Sequence, residues 1–464
     1  MDKANIGVIG LGIMGKSLIM NMLDHGIKVC VFNRTEGKIR DLLSHSSLTK
    51  TFTIEEFFSK LQEPRIILLM INADAVDKML HYLLPFLKQE DIVIDGGNSH
   101  FLSTEKRNEF LKSKNIYFIG MGISGGEQGA RFGPAIMAGG EKKAWDNIKP
   151  IFQKIAAKTK ENKPCITWTQ DVASGHFVKM VHNAIEYAIM ELICEIFDFM
   201  ENSLMLKREK IADVISSWQL NSYLVDITAK ILKEKREDGK YVLDEISDSA
   251  HHKASGKWAA EISLDLSVPF NMLQEAISLR FLSSLRVLRE TTSEKFTCAL
   301  RDCAENVDFI LPKLKNGFSA AFYLSYIQGF MLLHQAMQKY GWKLSMNEIS
   351  SCWKNGCIIR AKILDDIERA FLRDKNLENL LLDDFFQREL VKLEDDFREL
   401  VARMIVLKIP SFCFASSLSF FDGIRRKELP SNLLQAQRDF FGAHMYEKKD
   451  GKKGELFHYE WSGL

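Results

Sequence analysis

The sequence predicts an α/β amino-terminal half followed by a large, nearly all-helical half and a short tail, and three observations carry this reading. Over the first ~170 residues, short β-rich apolar runs alternate with amphipathic stretches, as in a parallel sheet covered by helices. From about Gly175 to Lys427 the apolar period lengthens to that of helices, with few strand candidates and few prolines. Between the first apolar run and the first amphipathic stretch lies a glycine-rich turn, Gly10-Leu11-Gly12-Ile13-Met14-Gly15.

Taken in order, the expected strands are Ile6 to Ile9, Val29 to Phe32, Ile66 to Met70, Ile92 to Ile94 and Tyr117 to Ile119. The last segment, Leu429 to Leu464, starts at Pro430, passes through a short helical stretch and carries the polar run Lys448 to Gly454. A tail this polar needs something to hold it. The expected division is therefore 1–174, 175–428 and 429–464.

At 464 residues the chain exceeds the size at which one core stops growing, so at least two domains are expected. Its 62 basic and 61 acidic side chains are interspersed, which argues against a nucleic-acid partner. The eight cysteines (Cys30, Cys165, Cys194, Cys298, Cys303, Cys352, Cys357, Cys413) lie in mostly apolar segments without metal-ligand spacing, so buried thiols and no metal are expected. No apolar run reaches the length of a membrane span and Met1 to Gly10 does not read as a signal peptide, so the expected location is the cytosol.

The glycine turn follows a strand and opens a helical pattern through Leu18, Met22 and Leu23, which is the setting of a Rossmann-like dinucleotide fingerprint. One glycine makes the turn, one lets the backbone approach a pyrophosphate, and one permits close helix packing. The second strand ends before Asn33-Arg34-Thr35, where NAD enzymes place a carboxylate. A guanidinium there can pair with a 2′-phosphate that a carboxylate would repel, so the expected cofactor is NADP.

In the stretch His176 to Tyr187, Lys179, His182, Asn183, Glu186 and Tyr187 fall on one arc of a helix, while Phe177, Val178, Val181, Ile185 and Ala188 cover the opposite side. Met190 and Cys194 continue the arc as uncharged residues, so the polar patch is local. A lysine stripped of water beside a cationic nicotinamide has its ammonium disfavoured twice, and such a lysine can act as a base near neutral pH. Glu186 could supply a proton to carbon.

Several longer motifs then occur in order: Ile94-Asp-Gly-Gly-Asn98-Ser99, Gly122-Ile-Ser124-Gly125-Gly126-Glu-Gln-Gly-Ala-Arg131, Gly175-His-Phe-Val-Lys179-Met-Val-His182-Asn183, Lys253-Ala-Ser255-Gly-Lys-Trp258 and Gln435-Ala-Gln-Arg438-Asp-Phe-Phe-Gly-Ala-His444. On these, from Ile6 to Trp461-Ser-Gly, the sequence resembles the 6-phosphogluconate dehydrogenases. The resemblance implies NADP-dependent oxidation of 6-phosphogluconate and its decarboxylation to ribulose 5-phosphate. It implies Lys179 as general base and later acid, and Glu186 as the proton donor to carbon. Asn98, Ser124, Gly125, Gly126, His182 and Asn183 would orient the sugar acid; Tyr187, Lys253, Ser255 and Arg280 would hold its phosphate. Arg438 and His444 would come from the tail of a partner in a homodimer. The cofactor would lie on Gly10 to Gly15, on Asn33, Arg34 and Thr35, and on Met70, Ile71, Asn72 and Asn98.

Three places depart from the family pattern. Ile71 stands where a lysine helps hold NADP, Ala184 stands for a glycine beside Asn183, and His251-His252 precede Lys253 in place of Gly-Gln. Two other readings stay open on sequence. One is a β-hydroxyacid dehydrogenase for a smaller, unphosphorylated acid, against which Lys253, Arg280 and Arg438 speak. The other is a non-catalytic NADP-binding protein, against which Lys179 and Glu186 speak.

Overall fold

A computed structural model describes residues 3–42, 44–251, 254–296 and 306–461. His252, Lys253, Cys298, Cys303 and the terminal Ser462-Gly463 of the sequence motifs lie outside the described residues. The contacts divide the chain into Met1–Ser417 and Leu418–Leu464.

In the first unit an eight-stranded sheet is built from β1 (Ile6–Ile9), β2 (Val29–Phe32), β3 (Leu48–Lys50), β4 (Ile66–Leu69), β5 (Ile92–Asp95), β6 (Tyr117–Ser124), β7 (Ala135–Gly140) and β8 (Ile166–Gln170). The order is β3-β2-β1-β4-β5-β6-β7-β8, parallel throughout except for the β6–β7 pair. Alternate strand residues feed two cores. Val8, Val31 and Leu68 pack under the helices Ile13–Asp24 and Lys142–Ile155, while Ile9, Phe32 and Leu69 meet Phe57, Val76 and Leu80 on the other face. Burial on both faces explains why these strands read as unbroken apolar runs.

All five expected strands are present, and three more join them. β3 is a half-buried edge strand of only 3 residues, too short to show a period. β7 reads Ala-Ile-Met-Ala-Gly-Gly, a poor strand sequence by propensity. Packing explains its glycines: a Cβ on Gly139 would stand 2.0 Å from the Asp171 carbonyl oxygen. β6 likewise runs beyond Ile119 through Gly120 and Gly122, because the helix Ser174–Asp198 lies against it; a Cβ on Gly122 would stand 2.4 Å from the Cβ of Lys179.

That 25-residue helix is the axis of the helical half, packed against Ala254–Asp265, Asn271–Ser284 and the 34-residue helix Val307–Tyr340. Gly329 permits a close crossing, since a Cβ there would meet Ile185 at 2.5 Å. Further along, the buried carboxylate of Glu195 accepts the backbone N–H groups of Cys413 (2.6 Å) and Phe414 (3.0 Å), capping the helix Phe412–Ile424. The expectation of buried thiols is met by Cys30, Cys165, Cys352, Cys357 and Cys413 but not by Cys194, which is exposed. Among the described residues no helix is long and apolar enough to cross a membrane.

The unit Leu418–Leu464 holds the helix Ser431–Gly442 and a two-stranded hairpin, β9 (Tyr446–Glu447) and β10 (Leu456–Phe457). Its centre is Asp439, fully buried, which accepts from the Met445 N–H (3.0 Å), His458 Nδ1 (2.9 Å), the Tyr459 N–H (3.1 Å) and Trp461 Nε1 (2.9 Å). Desolvation would raise this carboxyl, yet the donors outweigh it and hold it at about 2. This is what orders a tail whose composition is so polar.

Candidate active site

The carboxyl ends of β1, β4 and β5 converge, as expected for the ligand-binding edge of a parallel sheet. Gly10 (φ +107°) is required there because a Cβ would strike the Met70 carbonyl oxygen at 2.4 Å and the Ile71 side chain at 2.8 Å; Gly15 lies against the Gly10 carbonyl. Gly12, in contrast, has nothing within 4 Å of where a Cβ would stand, leaving its backbone open to an approaching anion at the start of the helix Ile13–Asp24. Leu11 is buried, and its N–H donates to Asn33 Oδ1 (3.1 Å), joining the glycine turn to the end of β2; Ile13 is exposed and Met14 is half-buried. Arg34 and Thr35 are exposed just beyond. Asn72 stands at the N-cap position of the helix Ala73–Leu83, with no side-chain hydrogen bond to its first turn, and Ile71 lies beside Gly10.

Asn98 is exposed on the loop after β5, and that loop is fixed from beneath. Ser99 donates to Asp95 Oδ2 (2.6 Å), and Arg107 reaches Asp95 Oδ2 (3.0 Å), Ser99 Oγ (2.9 Å), both oxygens of Asp77 (2.7 and 3.0 Å) and the Ala73 carbonyl (3.0 Å). One buried guanidinium thus ties the β5 loop to the helix that follows Asn72. Asp95 and Ser99 stand inside a motif visible in the sequence, but Arg107 carries no local signal of this role.

At the mouth of this edge stands the first part of the helix Ser174–Asp198. Lys179 is 7% exposed, and its Nζ lies 2.6 Å from Asn183 Oδ1, 3.1 Å from Ser124 Oγ and 3.2 Å from His182 Nδ1. His182 is fully buried with Nε2 3.1 Å from Ser124 Oγ. Burial first, and then the charge of Lys179, push its imidazole well below the usual range. A neutral ring that accepts at Nδ1 has its proton on Nε2, directed at Ser124. Glu186 is partly exposed, with Oε2 3.8 Å from His182 Nδ1. Gly125 (φ +118°) and Gly126 (φ +61°) turn the chain after Ser124 into the helix Gly126–Phe132.

One helical turn on, Asn183 Nδ2 donates to Ser255 Oγ (3.1 Å). Gly256 lets the helix Ala254–Asp265 approach, since a Cβ would meet the Tyr187 ring at 2.4 Å. Arg280, 8% exposed, places its guanidinium 3.5 Å from the Tyr187 ring centroid. Trp258 meets the ring of His100, the residue after the Ile94–Ser99 motif, edge-on at 5.0 Å. The Ala184 methyl is wholly buried. Arg438 and His444 are exposed in the separate unit 418–464, where Arg438 Nη1 donates to Gln435 Oε1 (3.1 Å) and the His444 ring lies 5.7 Å from that of Phe441.

Known proteins show the same two parts. Residues 5–169 match the NAD binding domain of 6-phosphogluconate dehydrogenase, and residues 175–461 match the 6-phosphogluconate dehydrogenase C-terminal domain. The chain is similar to "6-phosphogluconate dehydrogenase, decarboxylating" of Mus musculus (44% identical, covering 100% of this chain and 98% of that protein) and of Haemophilus influenzae (41%, 99% and 97%). Among solved structures it is similar to Plasmodium falciparum 6-phosphogluconate dehydrogenase, described in its apo form and in complexes with its cofactor NADP+ and its substrate 6-phosphogluconate. The TM-score is 0.94 at 36% identity, covering 98% of this chain and 100% of that one. With both halves matched in order and nearly the whole chain aligned, this protein belongs to the 6-phosphogluconate dehydrogenase family.

Proposed function

We propose that this protein oxidises 6-phosphogluconate with NADP+ and decarboxylates the product to ribulose 5-phosphate, and that Lys179 and Glu186 carry the proton transfers. The observation that carries the assignment is a buried lysine ringed by Ser124, His182 and Asn183 at the carboxyl end of β6, in the same sheet whose β1 leads into an open dinucleotide turn.

NADP supplies the hydride acceptor; the open backbone at Gly12 and the exposed Arg34 and Thr35 suit its pyrophosphate and 2′-phosphate. Leu11, Ile13, Met14, Asn33, Met70, Ile71, Asn72 and Asn98 complete the cofactor face. Lys179 takes the proton of the hydroxyl β to the carboxylate as the carbon gives up hydride. The resulting β-keto acid loses its carboxylate as carbon dioxide, and the bond's electron pair becomes an enediolate. Lys179 lends its proton to that oxygen, giving the enediol, and takes it back as Glu186 protonates the carbon, which leaves the ketone. Asn98, Ser124, Gly125, Gly126, His182 and Asn183 orient the sugar acid, while Tyr187, Lys253, Ser255 and Arg280 hold its phosphate.

The working unit proposed is a homodimer, with Arg438 and His444 of the partner subunit completing the phosphate site. Exposed apolar side chains on two segments support it: Val287 (76%) and Phe296 (73%) in one, Leu433 (63%) and Phe441 (71%) in the tail. The division 1–174, 175–428 and 429–464 is the domain plan that goes with this reading. Among the described residues the cysteines are free thiols, which suits the reducing cytosol.

Purified protein given 6-phosphogluconate and NADP+ should release one carbon dioxide for each NADPH formed. NADPH without carbon dioxide would mark a simple dehydrogenase, and neither product would overturn the assignment.

A further inference from the structure

Beyond the groups that touch substrate, one titratable side chain of the central helix has no structural task. Glu191 stands one turn past Tyr187, is 7% exposed, and has its Oε1 buried without a hydrogen-bond partner among the described residues. The neighbouring Glu195 shows what a structural carboxyl group looks like here, with two backbone N–H groups on it. An apolar side chain would pack at 191 without stranding a polar atom, so the carboxyl calls for another reason. The charge that attracts it is Arg280, the guanidinium stacked on Tyr187.

We propose that Glu191 is the proton-linked counter-charge of Arg280, so that seating a phosphate dianion on Arg280 drives uptake of a proton by Glu191. The proposal rests on the reading of Arg280 as a phosphate contact. In the free protein, burial, opposed by Arg280, pushes the Glu191 carboxyl up to about 7. The groups facing this cluster are Cys194 and Glu195 on its own helix, Arg280 and Glu275 on Asn271–Ser284, and Cys413 on Phe412–Ile424. Burial drives Glu195 and Cys413 toward their neutral forms and also raises Glu275, so Arg280 is the cation among these groups that sustains a Glu191 anion.

A sugar phosphate brings a charge of about −1.5 to −2 at pH 7. On Arg280 it offsets the cation that favours the Glu191 anion and adds negative charge of its own, so the proton affinity of Glu191 is higher in the complex than in the free protein. The sign follows: above about pH 7 binding takes up a proton, and affinity for the phosphorylated substrate falls with rising pH, by at most about tenfold per unit. Gluconate, which lacks the phosphate, should show neither effect.

Calorimetry on the full-length native protein at about pH 8, in two buffers of different ionisation enthalpy, counts the protons. We expect uptake with 6-phosphogluconate, none with gluconate, and loss of that uptake in Glu191→Gln and Glu191→Met. Both variants should also flatten the rise of Kd above about pH 7. Equal proton counts for the two ligands in the native protein, or native-like uptake in either folded variant, would overturn the proposal. Arg280→Ala separates the two ideas: if it leaves 6-phosphogluconate affinity unchanged, the phosphate site itself is misassigned. If it weakens binding while the Glu191 variants keep the native proton count, only the coupling is wrong.

Discussion

Replacing Lys179 with methionine separates chemistry from packing. The methionine keeps the stem that lies against Gly122 and removes the Nζ that meets Asn183 Oδ1, Ser124 Oγ and His182 Nδ1 at 2.6, 3.1 and 3.2 Å. Each acceptor deprived of a donor costs about 1–3 kcal/mol. Withdrawing a buried ammonium returns a desolvation cost of several kcal/mol, so the two effects oppose and the net change in stability should be about 2 kcal/mol or less. Turnover behaves differently. A proton-transfer group contributes about 10²–10⁴-fold, equivalent to about 3–5 kcal/mol of barrier. Steady-state NADPH formation with carbon dioxide release measures the second quantity, and thermal unfolding the first. His182 gives an independent reading by NMR titration: with the Lys179 charge gone, one of the two causes holding its imidazole down is lost, so its pKa should move up. A folded Lys179→Met protein with kcat within about fivefold of native would rule out a proton-transfer role, because a mere packing lysine would behave that way.

Arg107→Leu should be severe for stability, since it strands Asp95, which is 0% exposed, and frees the loop bearing Asn98; a loss of about 3–5 kcal/mol is expected, read from the shift of the denaturant midpoint. Arg34→Ala should lower kcat/KM with NADP+ by about tenfold while leaving the value with NAD+ nearly unchanged, and an equal fall with both would remove the basis for cofactor choice. Asp439→Asn should loosen the tail, seen as faster hydrogen exchange at the Met445 and Tyr459 amides. The pH dependence has a definite sign: the folded carboxyl sits at about 2, below its unfolded value of about 4, so its stabilisation is complete above about pH 4 and lost as pH falls toward about 2. Tail protection that does not fall over that window would contradict the role given to Asp439.

The features legible in the sequence are local: β1 and β2 to the residue, the glycine turn, and the helix bearing Lys179, His182, Asn183, Glu186 and Tyr187. Those signals are periodicities and short-range backbone demands, which a strand or helix imposes on its own residues. β7 escaped because its glycines answer to Asp171 and the helix packed over them, so tertiary contact outweighed propensity. The Cys194 thiol lies exposed despite its apolar neighbours for a related reason, since sequence context does not say which side of a helix is covered.

Residue order alone specifies the kind of cofactor turn, the helical half and the membership of Lys179 and Glu186 in one polar arc. It took the folded chain to bring Arg107 onto Asp95, 12 residues away in sequence, where it locks the Asn98 loop, to gather the polar tail around Asp439, and to leave Glu191 Oε1 without a hydrogen-bond partner among the described residues. Each of these is an electrostatic relation between segments distant in the chain. Such relations depend on burial and on separations of a few ångströms, and neither quantity is written in the order of the residues.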